Sequence, residues 1–302
     1  VGPSSSQRAN LGVVLERFDR HFNNVFRYPL FIFVDTEDES LFQAIRGRTA
    51  SVVTFVVGGV IDEDYERHFN TSGLESFPGV SRGYLHMIRF YAGRVALHRA
   101  LEGFDFFMRL DTDSFLLDAW PDVFEDALIA STKYRSWPIT TMESWRVSEG
   151  FSEFVAAFAE RHAEWGLPRG GWDERFFRVG ADDKPEWTNR MYYNNFEVVS
   201  LSWMRSTEYM TLFQEIDDLH FMFTRRWSDA IIRTAAVHLL LDKSDILDDF
   251  HSFVPYFHQL YCTGRSPCTR SLPDALRSDH PEWFQDQTCF NVGYYKCYPQ
   301  PG

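Results

Sequence analysis

Asp111-Thr112-Asp113 sets two carboxylates two residues apart, directly after the apolar run 104–110. In a tight turn at a strand end, both can reach one hard cation. Mg²⁺ and Mn²⁺ take such oxygen ligands and keep positions open for diphosphate oxygens. A cation held there offsets charge on a departing nucleoside diphosphate. The plainer reading of Asp111 and Asp113 is a surface loop or a helix cap. Asp62-Glu63-Asp64 has the same spacing and reads as a solvated turn. Arg89 and Arg109 are candidates for phosphate or ribose contacts, because a guanidinium fork matches phosphate geometry; an arginine's usual state is a surface ion pair. Glu197 lies inside the apolar run Phe196-Glu197-Val198-Val199, where a carboxylate is either buried and paired or functional. Trp227 and Asp229 open a helical pattern at Arg226-Trp227-Ser228-Asp229-Ala230, and an aspartate there is most simply an N-cap. His258, in Tyr256-Phe257-His258, reads by itself as a structural histidine.

These residues need elements to hold them. Apolar residues at Leu11, Val14, Leu15, Phe18, Phe22 and Val25 have helical spacing and predict a helix over 8–26. Buried strands are predicted over 30–34, 51–57 and 104–110, with a further strand over 195–201. Helices fit 38–45, 84–101, 151–165, 207–216 and 229–241. Alternating strands and helices indicate an α/β fold with a largely parallel sheet. Ligands in such sheets sit at the carboxyl ends of strands, where Asp111 and Asp113 fall.

The formal charge of −13 disfavours nucleic acid as a partner, since an acidic surface repels phosphate backbones. The longest apolar run, 52–61, is too short to cross a bilayer and reads as a buried strand. A membrane link is therefore expected only through an anchor outside this chain. Residues 1–7 read as a linker or stem remnant and 8–302 as one catalytic domain. Cys262, Cys268, Cys289 and Cys297 all fall in a loop-rich tail, 262–302. Their spacing is wrong for zinc ribbons. Two disulfides in an oxidising compartment are expected, paired Cys262–Cys268 and Cys289–Cys297. Asn70-Thr71-Ser72 is an N-glycosylation sequon, which fits a secretory setting.

Several segments together resemble one family. Tyr84-Leu85-His86-Met87-Ile88-Arg89-Phe90-Tyr91 is similar to a family stretch Y-x-H-M-x-R-F-Y. Arg109-Leu110-Asp111-Thr112-Asp113 is similar to its R-V-E-P-D metal motif, and Asn195-Phe196-Glu197 to its N-F-E segment. Phe213-Gln214 followed by Arg226-Trp227-Ser228-Asp229-Ala230 resembles F-Q…R-W-G-D-A. Tyr256-Phe257-His258 with Cys262 resembles Y-x-H-P…C. This is the pattern of glycosyltransferase family 15, the fungal Golgi α-1,2-mannosyltransferases, and it runs in order over most of the chain.

The resemblance implies a GT-A fold, a GDP-mannose donor, Mn²⁺ (or Mg²⁺), a glycan or glycoprotein acceptor and transfer with retention of configuration. It implies the Golgi or another secretory lumen as the compartment, and a type II membrane protein as the parent. Residue by residue, Asp111, Asp113 and His258 would bind the metal, and Glu197 would lie near the anomeric carbon. Tyr84, Arg89, Arg109, Trp227 and Asp229 would line the donor or acceptor site, with Asp229 and Glu197 as the catalytic pair. The sequence departs from the pattern at Asp111, where the family has Glu, and at Thr112 and Gln259, where it has Pro. It also has His220 and Phe221 near the position of the family's Gly-Gly. Two further readings stay open: the same fold with a uridine-diphosphate sugar, and a degenerate glycan-binding member. Intact Asp111, Asp113, Glu197 and His258 weigh against the second.

Overall fold

The computed structural model describes residues 5–125, 131–136, 140–169, 171–180, 185–247, 256–258 and 261–263. For 5–10, 140, 256–258 and 261–263 the backbone alone is described. The four cysteine side chains, and with them the expected disulfides, lie outside this set.

Among the described residues the first helix covers Ser5–Phe18. It continues through a π-helical turn, Asp19–Asn23, to Phe26. Arg27, with φ 62, then turns the chain into the first strand. The strands are β1 (Leu30–Val34), β2 (Val53–Val57), β3 (Phe106–Leu110), β4 (Ser114–Leu116), β5 (Tyr134–Ser136), β6 (Thr140–Met142) and β7 (Phe177–Val179). They continue with β8 (Pro185–Trp187), β9 (Arg190–Tyr192), β10 (Phe196–Ser200), β11 (Ile246–Leu247), β12 (Tyr256–His258) and β13 (Tyr261–Thr263).

β1 and β2 pair in parallel around the helix Glu39–Arg46, whose N-cap is Asp38. The sheet that carries the site has the order β11-β5-β10-β3. Here the pattern departs from a largely parallel sheet: β5 and β11 are parallel, but β10 runs antiparallel to both β3 and β5. The physical consequence is local. The carboxyl end of β3 meets the amino end of β10, with Leu110 opposite Phe196, so both ends feed one site.

β10 is buried on both faces. Side chains alternate along a strand. Phe196 and Val198 pack with Leu116, Trp120, Phe18 and Phe22 on one side. Glu197 and Val199 point to the other, where Val199 and Phe107 join the main core with the helix Asp229–Leu240. One carboxylate is thus directed into the apolar side of the sheet.

A second long helix runs Arg82–Arg89, a π-helical turn Phe90–Arg94, then Val95–Leu97. Its side chains divide by face. Tyr84, Met87 and Tyr91 recur at helical spacing on one side, while Arg82, His86 and Arg89 point the other way. Gly93 sits where this helix meets the helix Thr207–Asp218: a Cβ there would lie 2.4 Å from Cγ of Phe213. Ala has the better helix propensity by about 1 kcal/mol, but overpacking a buried ring costs about 1–3 kcal/mol, and the ring cannot withdraw into a filled core. Gly93→Ala is therefore expected to lower the midpoint of thermal unfolding by several degrees. An unchanged or raised midpoint contradicts the close packing.

Candidate active site

The site is built on Arg109. The side chain is buried and its guanidinium is shared: Nε donates to Asp111 Oδ1 at 2.9 Å, and Nη1 donates to Asp229 Oδ2. The Tyr91 ring lies under it, 4.1 Å from the guanidinium carbon to the ring centroid, a cation–π stack. Burial pulls the Arg109 pKa down, but the Asp111 and Asp229 charges more than offset it and hold the cation charged.

Asp229 lies in the first turn of its helix, where the helix dipole favours a carboxylate. It is not the N-cap: Ser228 caps, accepting from the Ile231 amide. Asp229 Oδ2 also accepts from Asn194 Nδ2 at 2.9 Å. The carboxylate is thus freed from capping and held toward Arg109.

Asp111 opens a turn, with Ser114 N donating to its carbonyl at 3.1 Å, and its own amide donates to Asn195 O at 3.2 Å. The Asp111 carboxylate is 29% exposed and Asp113 is also part-exposed, so both stand at the surface as open-sided ligands must. β12 pairs antiparallel with β4, placing the Cα of His258 opposite Ser114, next to Asp113. Among the described side chains no three His, Cys, Asp or Glu residues cluster as metal ligands.

Glu197 is 0% exposed. Its carboxylate accepts from Arg233 Nε at 3.1 Å and Nη2 at 3.4 Å. Burial pushes the carboxyl pKa up, and the Arg233 and Arg109 charges pull it back only in part. Cross-strand pairing sets Glu197 opposite Arg109. Beneath the surface, therefore, Asp229 and Arg233 on one helix turn face Arg109 and Glu197 on paired strands.

Tyr84 stands on the rim, 38% exposed, and its hydroxyl accepts from Arg226 Nη2 at 3.3 Å. Burial raises its phenol pKa, with Arg226 opposing and Asp229 adding to the effect.

Two expected contacts do not join this group. Trp227 is wholly buried among Phe151, Phe154 and Phe221, with its indole N–H donating to Glu149 O at 3.1 Å. It packs the core and has no surface for a nucleotide. Arg89 points to the opposite side of its helix. It makes a bidentate pair with Asp217 at 2.7 Å and a third bond to Asp62 at 2.8 Å, over the Tyr65 ring. Asp62, read as a solvated turn, is the N-cap of Glu63–Thr71 and part of this ion pair. Burial alone would raise its carboxyl pKa; the Tyr65 amide and the Arg89 and Arg94 guanidiniums hold it below the usual range.

Tyr91, Asn194 and Arg233 belong to the site without having been singled out in the sequence. The available signal was Arg233 itself, an arginine inside Ala230-Ile231-Ile232-Arg233-Thr234-Ala235-Ala236, which must find a carboxylate when buried.

The sheet is mixed, the Asp111–Asp113 turn follows its edge strand β3 and a helix start faces that turn; the fold is of the GT-A glycosyltransferase type. The fold matches core-mannan synthase A (CmsA/Ktr4) of Aspergillus fumigatus, solved in a Mn/GDP form, with a TM-score of 0.71 and 18% identity over 88% of this chain and 77% of that one. Residues 4–295 match the glycolipid 2-alpha-mannosyltransferase family. The chain belongs to that family, and so to the glycosyltransferases. Among its relatives are the Saccharomyces cerevisiae protein named probable mannosyltransferase KTR3, 25% identical over 96% of this chain and 75% of the relative. The Schizosaccharomyces pombe O-glycoside alpha-1,2-mannosyltransferase homolog 2 is 22% identical over 83% and 69%.

The Arg89 assignment is testable. Removing one member of a buried ion pair strands the other and costs about 3–5 kcal/mol. Arg89→Met should lower the unfolding midpoint markedly while the folded fraction binds nucleotide with unchanged affinity in calorimetric titration. A stable variant with weakened nucleotide binding would return Arg89 to the donor site.

Proposed function

We propose that this chain transfers mannose from GDP-mannose, with retention, onto a 2-hydroxyl of a mannosylated glycan or glycoprotein, using Mn²⁺. The observation that carries this is the Arg109 bridge between Asp111, at the end of β3, and Asp229, at the start of a buried helix. It gathers a carboxylate turn suited to a cation and a second carboxylate within one small space. Family membership and the Mn/GDP form of the Aspergillus neighbour support the choice of metal and nucleotide. Among described residues no helix is long and apolar enough to cross a membrane. Asn70, in an exposed sequon at the end of Glu63–Thr71, supports a secretory lumen, with the Golgi as the proposed compartment. Residues 8–302 are proposed to act as one catalytic unit.

Asp111, Asp113 and His258 would hold the cation, and oxygen with imidazole ligation suits Mn²⁺. When bound, it supplies positive charge to the departing diphosphate. Arg109 fixes the orientation of the Asp111 carboxylate by bonding both of its oxygens. Asp229, bonded to Arg109 and Asn194, would accept a hydrogen bond from an acceptor hydroxyl. Tyr84 offers a part-exposed ring and hydroxyl at the rim for sugar contact.

Glu197 has two conceivable roles in a retaining reaction. It can attack the anomeric carbon, as retaining glycosidases do, or it can stabilise positive charge developing on the sugar ring. Its full burial and its bonds to Arg233 support the second. Attack would first require pulling the carboxylate out of that pair. From beneath Arg109 its charge acts through a low-dielectric interior, where fixed charges are strong.

One kinetic series tests the reading. Asp111→Ala should abolish the Mn²⁺-dependent part of turnover with GDP-mannose. Glu197→Gln should lower turnover by about 100-fold while GDP affinity holds, because in this reading Glu197 acts on the sugar and not on the diphosphate. Full Mn²⁺-dependent activity in Asp111→Ala would remove the metal assignment. Near-normal turnover in Glu197→Gln would remove Glu197 from the mechanism, and joint loss of turnover and GDP binding would make it structural.

A further inference from the structure

The helix Asp229–Leu240 is buried along its whole length. Arg233 lies one turn after Asp229, so the two side chains share a face. The Arg233 side chain is 1% exposed, and every arm of its fork is used. Beside the Glu197 bonds, Nη2 donates to the Tyr91 carbonyl at 2.9 Å and Nη1 donates to the Tyr209 hydroxyl. Tyr209 in turn donates to the Ala92 carbonyl at 2.6 Å.

Both carbonyls belong to the π-helical turn Phe90–Arg94. A turn of this kind departs from the ordinary helical ladder, and such turns persist where surrounding contacts fix them, often at functional sites. This one delivers the Tyr91 ring beneath Arg109. The chain of contacts is therefore continuous: Arg233 to the Tyr91 backbone, the Tyr91 ring to Arg109, and Arg109 to Asp111 and Asp229.

We propose that Arg233 is a positioning residue of the transfer site, fixing the Tyr91 turn and the Glu197 carboxylate together, and through them the orientation of Arg109. The proposal rests on the reading of Arg109, Asp111 and Asp229 as the site. A purely structural pair would need only charge and volume, and buried ion pairs often exchange for apolar residues without loss of stability. Arg233 does more than pair. Its planar donors reach strand β10, the helix Thr207–Asp218 and the π-helical turn at once. A lysine ammonium keeps the charge but not the plane.

Arg233→Lys and Tyr209→Phe, the latter removing the hydroxyl between the fork and Ala92, are compared with wild type. Thermal unfolding, kcat per folded enzyme, donor KM and Mn²⁺–GDP affinity are measured. A structural role lowers the unfolding midpoint but leaves kcat per folded molecule alone. Positioning predicts a kcat loss of roughly 30-fold in Arg233→Lys and a smaller loss in Tyr209→Phe. Donor KM and GDP affinity should stay within about threefold in both. If Arg233→Lys does not fold, Tyr209→Phe carries the test. A folded variant with kcat within about twofold of wild type overturns the proposal, as does loss of kcat and GDP affinity together. Wild-type enzyme without Mn²⁺-dependent transfer from GDP-mannose would instead overturn the site reading, and the proposal with it.

Discussion

One guanidinium ties the end of a strand to the start of a helix. Arg109 is buried, and a buried cation is costly unless its donors are matched. Here Asp111, Asp229 and the Tyr91 ring match them. The match constrains more than charge. β3 must end at Leu110 for Asp111 to enter its turn. The helix at Asp229 must be capped by Ser228 for the neighbouring carboxylate to be spared. The π-helical turn must present Tyr91. Breaking any of these leaves a buried charge without its partner, so the Arg109 geometry and the local fold stand or fall together.

The helix Arg82–Leu97 separates two arginine systems that look alike in sequence. Arg89 and Arg109 are both buried and both hold two aspartates over a tyrosine ring. They differ in what surrounds them. Arg89 ties Asp62 and Asp217, a helix cap and a helix end, on the side facing Glu63–Thr71. Arg109 ties residues from a strand end and a helix start beside the open Asp111–Asp113 turn. The Asp111 carboxylate is 29% exposed, against 16% for Asp62 and 7% for Asp217, so the second arrangement offers the more accessible carboxylate.

Most of the element pattern was legible because apolar periodicity follows burial, and burial decided where the strands and helices fall. The places of Asp111 and Asp113 after a strand and of Asp229 at a helix start were legible, but position alone made Asp229 an N-cap, a role that Ser228 takes. The sequence did not reveal that β10 runs antiparallel, since both faces of that strand are buried and alternation carries no direction. It also misplaced Trp227 and Arg89. An indole two positions before an aspartate can point either way, and 100° per residue puts Arg89 across the helix from Tyr91, only two positions later. Tyr91, Asn194 and Arg233 were missed because their roles arise from tertiary pairing. Arg233 came closest to being readable, as a lone charge in an apolar helix.

The central claim is that the Asp111 turn and the Arg109 bridge form a metal-dependent guanosine-diphosphate site. The most direct measurement is thermal unfolding with GDP or UDP, each with and without Mn²⁺. Ligand at about 100 times its dissociation constant stabilises a native state by about 2.7 kcal/mol, enough to move the midpoint visibly. The account predicts a clear rise with GDP and Mn²⁺ together, little with GDP alone, and little with UDP and Mn²⁺. Equal stabilisation by GDP with and without Mn²⁺, or by UDP as much as GDP, would contradict it.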